Sequence, residues 1–538
     1  MKVIIVGGVA AGASAAARLR RLNERAEIIL VEAGAYISYA NCGLPYSLGG
    51  VIAARENLMV MEPAKFKAWF NVDVRTCTEA VAIDRERQTI TLRSHGQETV
   101  ETYDFLLLAT GSTPVSFPLP GIDDRRIHSF WTVPDMDAVS ALAAHATQAV
   151  VVGGGFIGTE VAENLAARGI KVTVVEFATH LLANLDAEMA RWAEHALMAC
   201  GIALQMGRKV EAFEAGETLK VVLDDGSRLP ADFVVMCAGV RPNSALAQAA
   251  GLTLGARGHI CVGRDLRTSD PHIFAAGDVV EVVEPIFGGS ISIPLAGPAN
   301  KQGRLAADAM MGLPANYAGT YGASIVKVGE LAIGSVGMTE ARLVQMKVAY
   351  QKLYLHTAAA AMYYPGGTML HIKVLFTSEG QLLGAQIAGS KGVDKRIDTL
   401  AMAMRAGWPI TQLAELECAY APPFNAARDP VNFIGMVAGN VLSGRSRIVH
   451  ADAIPSDAVI LDVREAAERK AGFIPGSLHL PLGQLRQRLS ELDRRQSYVC
   501  SCAIGLRGYL AERILRQNGL TASNLSGGYL TWKTFHAQ

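Results

Sequence analysis

The sequence predicts an α/β protein of several domains, and three observations support that prediction. The chain has 538 residues, more than a single domain usually holds. Two stretches, "MKVIIVGGVAAGASAAARLRRL" and "AVVVGGGFIGTEVAENLAARG", each show a short apolar strand, a glycine turn and a helical pattern. Beyond residue 450, the strands "AVILDVRE" and "SYVCSC" alternate with the helix "RGYLAERILRQNG". Strands that alternate with helices are typical of parallel sheets covered by helices.

Composition argues against several classes of partner. Lys and Arg number 50, as do Asp and Glu, a balance that argues against nucleic acid or an acidic membrane surface as the main partner. No apolar run reaches the length of a membrane span, and the N-terminal run breaks into glycines instead of continuing as a signal peptide. The eight cysteines are scattered, without zinc motifs. We therefore expect a cytoplasmic protein with no disulfide framework and no metal.

The first glycine turn has the order typical of a Rossmann unit. The following strand, "EIILVE", ends at Glu32, an acid placed to bind a ribose hydroxyl, while the turn and the helix N-terminus bind a pyrophosphate. Val9 stands where the middle glycine of the motif is usual. The turn residues expected at the nucleotide are Gly7, Gly8, Ala11 and Gly12.

A second, complete turn predicts a second dinucleotide. Gly153, Gly155 and Gly158 are all present, and Glu176 ends the following strand. A carboxylate here accepts hydrogen bonds from the ribose hydroxyls of NADH and repels the 2′-phosphate of NADPH. The next residues, "FATH", supply no arginine for that phosphate. We expect NADH, with NADPH left open.

Two further stretches complete the pattern: "FLLLATGS", which contains Thr110 and Gly111, and "TSDPHIFAAGDV", which ends in Gly277 and Asp278. With them, residues 1 to about 440 resemble the flavin-dependent pyridine nucleotide–disulfide oxidoreductases. The resemblance implies FAD in the first unit, with Asp278 at its ribityl chain, and a homodimer with shared active sites. It implies an FAD-binding domain at 1–119 and 244–320, an NAD(P)H-binding domain at 120–243 and an α+β dimerisation domain at 321–445.

Cys42, in "ISYANCGLPYS", has no second cysteine in its turn, so an intrachain dithiol is excluded. Two chemistries remain. One is a cysteine sulfenic acid, as in the NADH oxidases and peroxidases of this superfamily. The other is a mixed disulfide with a small thiol, as in the coenzyme A–disulfide reductases. The peroxidase-type enzymes carry a histidine in the glycine turn where this chain has Ala10, which favours the second chemistry.

The stretches "SYANCGLPY", "MYYPGG" and "ECAYAPPF" resemble coenzyme A–disulfide reductase motifs. The resemblance implies that Ser38 and Asn41 flank Cys42 and that tyrosines of the partner subunit reach the mixed disulfide. The matching positions are Tyr363 and Tyr420, and spacing alone does not separate Tyr363 from Tyr364. A phenol can supply a proton to the departing thiolate without adding charge.

Coenzyme A also requires cations for its phosphates. Arg18 and Arg21 lie on neighbouring turns of one face of the first helix, where guanidinium groups can bind phosphate, although a solvated basic face remains the alternative. The resemblance adds Asn300 and Arg304 from the other subunit, and Phe66 along the pantetheine tunnel.

Residues 450–538 resemble a rhodanese domain, through Asp462-x-Arg464, "IPGSLHLPL", "CAIGLRG" and "GGYLTW", with Phe473 replacing the usual histidine. Four residues separate Cys502 from Arg507, a ring that suits sulfur better than the phosphate of a phosphatase. Backbone N–H groups, the helix N-terminus and Arg507 favour a thiolate that carries sulfane sulfur. Cys500 is either a resolving thiol or a buried strand residue.

Together these features predict a homodimeric flavoenzyme in which electrons pass from NADH to FAD to Cys42. The expected substrates are small thiols, disulfides or persulfides: coenzyme A disulfide, coenzyme A persulfide or polysulfide, with sulfur transfer by the rhodanese domain. The alternatives are an NADH oxidase or peroxidase that uses a sulfenic acid, and a redox-sensing protein that binds flavin but turns over poorly.

Overall fold

The computed structural model describes residues 1–536, so the last two residues of the expected rhodanese domain lie outside the described residues. The chain divides into two compact units. Unit 1 comprises residues 1–178 and 200–322, and unit 2 comprises residues 179–199 and 323 onwards. No helix within residues 1–536 combines the length and the apolar character that a membrane span requires.

The first part of unit 1 builds a parallel sheet around its N-terminal strand. That strand is buried on both faces, with Val3, Ile4 and Ile5 fully buried, as a central parallel strand requires. The elements are β1 Lys2–Val6, α1 Ala10–Leu22, β2 Glu27–Val31, α2 Leu44–Leu48, α3 Pro63–Phe70, β3 Asp73–Arg75, β4 Thr78–Asp84, β5 Thr89–Ser94, β6 Gln97–Thr102, β7 Phe105–Leu108 and β8 Ser112–Pro114. Strands β4, β5 and β6 form a separate antiparallel sheet.

The second part repeats the design. Its elements are β9 Ile127–Ser129, α4 Val133–Ala143, β10 Gln148–Val152, α5 Phe156–Ala167, β11 Lys171–Glu176, α6 Ala187–Ala199, β12 Ala203–Met206, β13 Val210–Glu214, β14 Leu219–Leu223, β15 Arg228–Ala231, β16 Phe233–Met236 and β17 Val240–Pro242. The parallel sheet has the order β12-β11-β10-β16-β9. Helix α6 groups with unit 2, although it follows β11 in the chain.

The chain then returns to the first sheet. The elements are α7 Ala245–Ala249, β18 Ile260–Cys261, β19 Ile273–Ala275, β20 Val280–Val283, β21 Ser290–Ile291 and α8 Ala296–Met310. Strand β19 adds to the first sheet, giving the order β19-β7-β1-β2-β3. Helix α8 packs closely on α1: a Cβ at Gly303 would lie 2.1 Å from the carbonyl oxygen of Ala11.

Unit 2 begins with a five-stranded antiparallel sheet of order β22-β23-β26-β25-β24. Its elements are β22 Ser324–Val328, β23 Leu331–Gly337, α9 Glu340–Gln345, β24 Gln351–Ala358, β25 Met369–Phe376, β26 Leu382–Gly389, α10 Val393–Ala406 and α11 Pro430–Leu442. Lys373 of β25 is 1% exposed and forms ion pairs with Asp186, Glu188 and Glu340, so helix α6 is held against this sheet.

The C-terminal module is a parallel sheet, β27-β31-β30-β28-β29, with helices. Its elements are β27 Ile448–Val449, β28 Val459–Asp462, α12 Ala466–Lys470, β29 Leu478–His479, α13 Leu482–Leu485, β30 Ser497–Ser501, α14 Leu506–Gln517, β31 Thr521–Leu525 and α15 Gly528–His536. The module is bonded to strand β24: Lys352 pairs with Asp452 at 2.7 Å, and the backbone N–H of Tyr354 donates to Ser526 Oγ at 3.0 Å.

Candidate functional site

The two glycine turns hold their strand-terminal acids in the same way. In the first, the N–H of Gly8 donates to Glu32 Oε2 at 2.8 Å, and the N–H two residues after the acid donates to Oε1 at 2.8 Å. In the second, the N–H of Gly154 donates to Glu176 Oε2 at 2.6 Å, and the N–H two residues on donates to Oε1 at 2.7 Å. Each carboxylate is thus fixed beside its turn, with acceptor capacity left for ribose hydroxyls.

The third glycine of each motif permits close packing of helix on strand. A Cβ at Gly12 would lie 1.8 Å from the carbonyl oxygen of Gly7, and one at Gly158 would lie 1.9 Å from the first glycine of its own turn. A Cβ at the middle glycine, Gly155, would meet no atom within 4 Å. A side chain at that place therefore does not clash with the protein, which explains how the first turn accommodates Val9.

The remaining residues expected at the flavin lie around the start of α1. Ser112 Oγ donates to Asp278 Oδ2 at 3.0 Å, and burial raises the pKa of Asp278. A Cβ at Gly277 would lie 3.4 Å from Ala11 Cβ. Thr110 and Gly111 bond to one residue of the returning chain: Thr110 Oγ1 donates to Asn243 O at 2.7 Å, and the N–H of Asn243 donates to Gly111 O at 3.0 Å.

The residues present fit two dinucleotide cofactors. Neither α1 nor α5 has a side chain that caps its first N–H groups, and neither has an acid in its first turn. Uncapped helix N-termini of this kind bind pyrophosphate, and the anchored acids suit ribose. FAD fits the first glycine turn, where Asp278 offers a carboxylate to a polyol chain, and a nicotinamide dinucleotide fits the second glycine turn.

Cys42 lies in a short 3-10 turn, Asn41–Gly43, directly before α2. The residue is exposed. The neighbouring protein nevertheless desolvates the thiol; that burial, and then the charges of Glu160 and Asp278, raise the pKa of Cys42. The protein around Cys42 therefore disfavours its thiolate, and formation of the thiolate depends on the groups that bind beside it.

Glu160 is a site residue that the sequence analysis missed. It lies in the first helical turns of α5, and it accepts a hydrogen bond of 3.0 Å from the hydroxyl of Tyr46, four residues after Cys42. Burial raises the pKa of Glu160 to about 7. The sequence did contain a signal for this residue. Glu160 stands two residues after the third glycine of the second turn, and that position follows directly on the nucleotide-binding turn.

A cleft of about 370 Å³ opens beside α1. Five of the residues expected near coenzyme A or Cys42 line it together: Arg21, Ser38, Phe66, Asn300 and Arg304. Ser14, which was not predicted, also lines it and bonds through its hydroxyl to Asn300 Oδ1. Asn300 and Arg304, which were expected to come from the other subunit, line this cleft from the same chain as Arg21. The cleft thus runs between two guanidinium groups and Ser38, four residues before Cys42.

Arg18 does not line this cleft. Its Nε donates to Asp308 Oδ1 of α8 at 2.6 Å, and the two side chains are 21% and 11% exposed. The guanidinium is therefore paired with a carboxylate within unit 1. Of the two arginines expected to bind phosphate from this helix, Arg21 is the one that the structure places in the cleft.

The two tyrosines expected from the partner subunit are neighbours in unit 2. The hydroxyls of Tyr363 and Tyr420 are 2.9 Å apart, and the residues are 77% and 47% exposed. That hydrogen bond raises the pKa of Tyr420. Tyr364 is joined to the loop through its backbone N–H, which donates to Ala361 O at 3.0 Å. The geometry therefore favours Tyr363 as the member of the pair.

Cys502 lies at the base of the loop between β30 and α14 and is fully buried. The N–H of Gly505 donates to Cys502 Sγ at 3.1 Å, and Gly505 adopts φ +97°, which bends the loop toward the sulfur. The N-terminus of α14 follows at once. Both features direct partial positive charge toward the sulfur.

Arg507 is paired with an acid that the sequence analysis missed. Its two terminal nitrogens donate to Glu468 at 2.7 and 2.6 Å, and this pairing lowers the pKa of Glu468 to about 2. Glu468 follows Arg464 by four residues, near the start of α12, but only the fold brings it to Arg507. Cys500 is fully buried within β30, and burial raises its pKa.

The comparison with protein families agrees with this geometry. The model of the pyridine nucleotide-disulphide oxidoreductases matches residues 1–303, that of their dimerisation domain matches residues 323–430, and that of the rhodanese-like domain matches residues 449–535. The chain belongs to the pyridine nucleotide-disulphide oxidoreductases. It carries a rhodanese-like domain at its C-terminal end, as the sequence predicted.

Similar proteins include two solved structures that cover almost the whole chain. The reduced Bacillus anthracis CoADR-RHD is 40% identical, with a TM-score of 0.97, and covers 99% of this chain and 98% of its own. A NAD-dependent persulfide reductase from A. fulgidus is 37% identical, with a TM-score of 0.94, and covers 99% and 100%.

Two curated relatives match the part before the rhodanese-like domain. An NADH oxidase of Methanocaldococcus jannaschii is 32% identical over 83% of this chain and 100% of its own length. A coenzyme A disulfide reductase of Staphylococcus aureus is 32% identical over 81% and 99%. The predicted family is therefore confirmed, and these relatives carry different activity names.

Proposed function

We propose that this protein is an FAD-dependent reductase that uses NADH to reduce coenzyme A disulfide, coenzyme A persulfide or both at Cys42. The proposal rests on a lone thiol close in sequence to a cleft with two guanidinium groups: Ser38 lines the cleft with Arg21 and Arg304. A phosphate-bearing thiol bound there is the partner sulfur that the chain itself does not supply near Cys42. The full-length similarity to a persulfide reductase supports the same conclusion.

FAD, when bound at the first glycine turn, supplies electron transfer between the nicotinamide and sulfur. The protein residues have distinct tasks. Glu32 and Asp278 bind FAD, Glu176 binds the ribose of NADH, and Cys42 carries the sulfur–sulfur bond that is reduced. Arg21 and Arg304 bind the phosphates of coenzyme A.

In the proposed homodimer, the tyrosine pair of one subunit donates a proton to the thiolate that leaves Cys42 of the other. A hydroxyl pair suits this task, because the hydrogen bond from Tyr363 raises the pKa of Tyr420, so the phenol still carries a proton to donate near neutral pH. We propose the domain limits accordingly: FAD-binding at 1–119 and 244–320, NAD(P)H-binding at 120–243, dimerisation at 321–445 and rhodanese-like from 450.

The test is steady-state oxidation of NADH by the purified full chain, with four acceptors in parallel: coenzyme A disulfide, coenzyme A persulfide, hydrogen peroxide and oxygen. We expect kcat/KM to be highest for one of the two coenzyme A compounds. Intact mass before and after thiol reduction then shows whether coenzyme A is covalently attached.

Reduction of oxygen is the second candidate, and the relative named NADH oxidase favours it. In that case oxygen or peroxide would be the best acceptor, and coenzyme A disulfide would not exceed the background rate. Equal and slow turnover with all four acceptors would instead support a flavin-binding redox sensor.

A further inference from the structure

The loop around Cys502 contains one arginine, but the positive charge of that arginine is offset by a neighbouring acid. Of its six residues, Cys502 to Arg507, the arginine is the only cation. Both terminal nitrogens of that arginine are bonded to the carboxylate of Glu468, at 2.7 and 2.6 Å. The charge of the guanidinium is therefore offset at the sulfur site by a carboxylate held in two hydrogen bonds.

Glu468 is held in this position from its own side as well. Its Oε2 accepts the backbone N–H of Glu465 at 3.0 Å, the reciprocal bond of a capping box at the start of α12. The side chain is 36% exposed and that of Arg507 is 31% exposed, so the pair is open to an approaching ligand.

The rest of the loop surface is apolar. Leu506 is 62% exposed and Leu510, one turn further along α14, is 43% exposed, while Ala503 and Ile504 are half-buried. The buried Cys502 thus lies beneath an apolar rim. A sulfur donor that bears an organic group can contact this rim, whereas a doubly charged inorganic donor finds no unpaired cation in the loop.

We propose that Glu468 is a specificity-determining residue of the rhodanese-like module, and that it selects organic persulfides over dianionic donors such as thiosulfate. The inference goes beyond the reduction proposed at Cys42 and rests on the sulfur transfer that the sequence predicts for this module, since it takes Cys502 as the sulfur-accepting thiolate. In the selected reaction, the Cys502 thiolate attacks the outer sulfur of R–S–SH. A new sulfur–sulfur bond forms at Cys502, the sulfur–sulfur bond of the donor breaks, and R–S⁻ leaves. The transferred sulfur keeps its proton, and no external oxidant or reductant is needed.

With thiosulfate, the same attack would release sulfite, and the dianion would have to approach Glu468. Two like charges several ångströms apart near a protein surface repel enough to change a rate about fivefold. Removal of the Glu468 charge should therefore raise loading from thiosulfate about fivefold relative to loading from an organic persulfide.

The test is single-turnover sulfur loading of the full chain without NADH, followed by intact mass. A Cys42→Ser background removes the redox thiol, and the same background with Cys502→Ser is the blank for the remaining cysteines, of which Cys77 and Cys200 are exposed. N-acetylcysteamine persulfide, which carries no carboxylate, and thiosulfate are the two donors. We expect the organic persulfide to load Cys502 at least about tenfold faster, and both Glu468→Gln and Leu506→Arg to raise the thiosulfate share about fivefold.

Leu506→Arg adds a cation without touching the Arg507–Glu468 pair, so it remains informative if Glu468→Gln shifts the arginine. The matched control is Glu491→Gln, which removes a carboxylate with the same two-bond contact, to Arg488, in the same module. It should leave the donor ratio unchanged. Faster loading of the parent from thiosulfate, or an unchanged ratio in both variants, would overturn the inference. No loading from either donor would overturn sulfur capture itself, and the inference with it.

Discussion

The two cysteines expected to handle sulfur lie in opposite electrostatic settings. Cys42 is an exposed residue, yet desolvation of its thiol and then the charges of two carboxylates raise its pKa, and no guanidinium or ammonium among the described residues is bonded to it. Cys502 is buried, accepts a hydrogen bond from a backbone N–H, and lies in the loop that leads into a helix N-terminus and the Arg507–Glu468 pair. A thiol of the first kind needs a bound partner and a cofactor to react, whereas one of the second kind is prepared to accept sulfur by itself.

The largest expected effect tests that difference directly. Cys42→Ser should lose reduction of every disulfide and persulfide by about 10³-fold or more, because the reacting sulfur is gone. FAD binding and its reduction by NADH should persist, since they depend on the two glycine turns. Absorbance of the flavin and steady-state NADH oxidation measure the two properties separately. Turnover like that of the parent would show that Cys42 is not the redox centre.

The preference for NADH over NADPH tests whether the two strand-terminal acids serve different cofactors. Glu176→Ala removes a charged hydrogen-bond acceptor, worth about 1.5–3 kcal/mol, so the preference for NADH over NADPH should fall about 10- to 100-fold. The matched control is Glu32→Ala, which makes the same change in the first turn and should weaken FAD retention instead. The measurement is kcat/KM for both nucleotides. A parent enzyme that already prefers NADPH would contradict this assignment.

The tyrosine pair is the next test. Tyr420→Phe should lower turnover about tenfold with the coenzyme A substrate, because the donor for the leaving thiolate loses its partner. Tyr364→Phe is the control, because it changes the neighbouring phenol that the structure does not pair with Tyr420. Both variants should bind FAD normally. A larger loss in Tyr364→Phe would reverse the choice between Tyr363 and Tyr364.

Cys502→Ser probes the second sulfur site selectively. Reduction of preformed coenzyme A persulfide should stay close to that of the parent, while reduction of sulfur offered as polysulfide should slow several-fold. Because the module is bonded to strand β24 within unit 2, its contribution depends on a mobile sulfur carrier and on tethering. Equal losses on both substrates would indicate a structural role, and no loss on either would make the module an independent passenger.

The fold and the family were predictable because local patterns carry them: glycine turns, strand-terminal acids and apolar strands are all contiguous in sequence. Pairings between distant segments were not. Helix spacing placed Arg18 and Arg21 on one face, but Asp308, 290 positions away, takes Arg18. The same limit hid Glu468, whose partner Arg507 lies 39 positions further on.

Helix α6 shows this limit at the level of a whole element. Asp186 and Glu188 read as ordinary acids at a helix start, yet both bind Lys373 of β25. Burial alone would lower the pKa of this lysine, but the carboxylates around it raise it above its usual value. The sequence around a buried lysine in a strand does not indicate which acids will pair with it. The grouping of α6 with unit 2 therefore could not be predicted from the sequence.

The smallest expected effect concerns the carboxylate beside Cys42. Glu160 has its pKa raised to about 7 by burial, so it is largely ionised above pH 7 and then opposes the Cys42 thiolate. Glu160→Gln removes that charge and should lower the pKa of Cys42, which raises the rate of alkylation at pH 8 by about twofold. Below about pH 6 Glu160 is mostly protonated, so parent and variant should converge. Glu98→Gln, an exposed change in unit 1, is the control. Alkylation rates that differ equally at all pH values would mean that the substitution changes access to the thiol and not its charge environment.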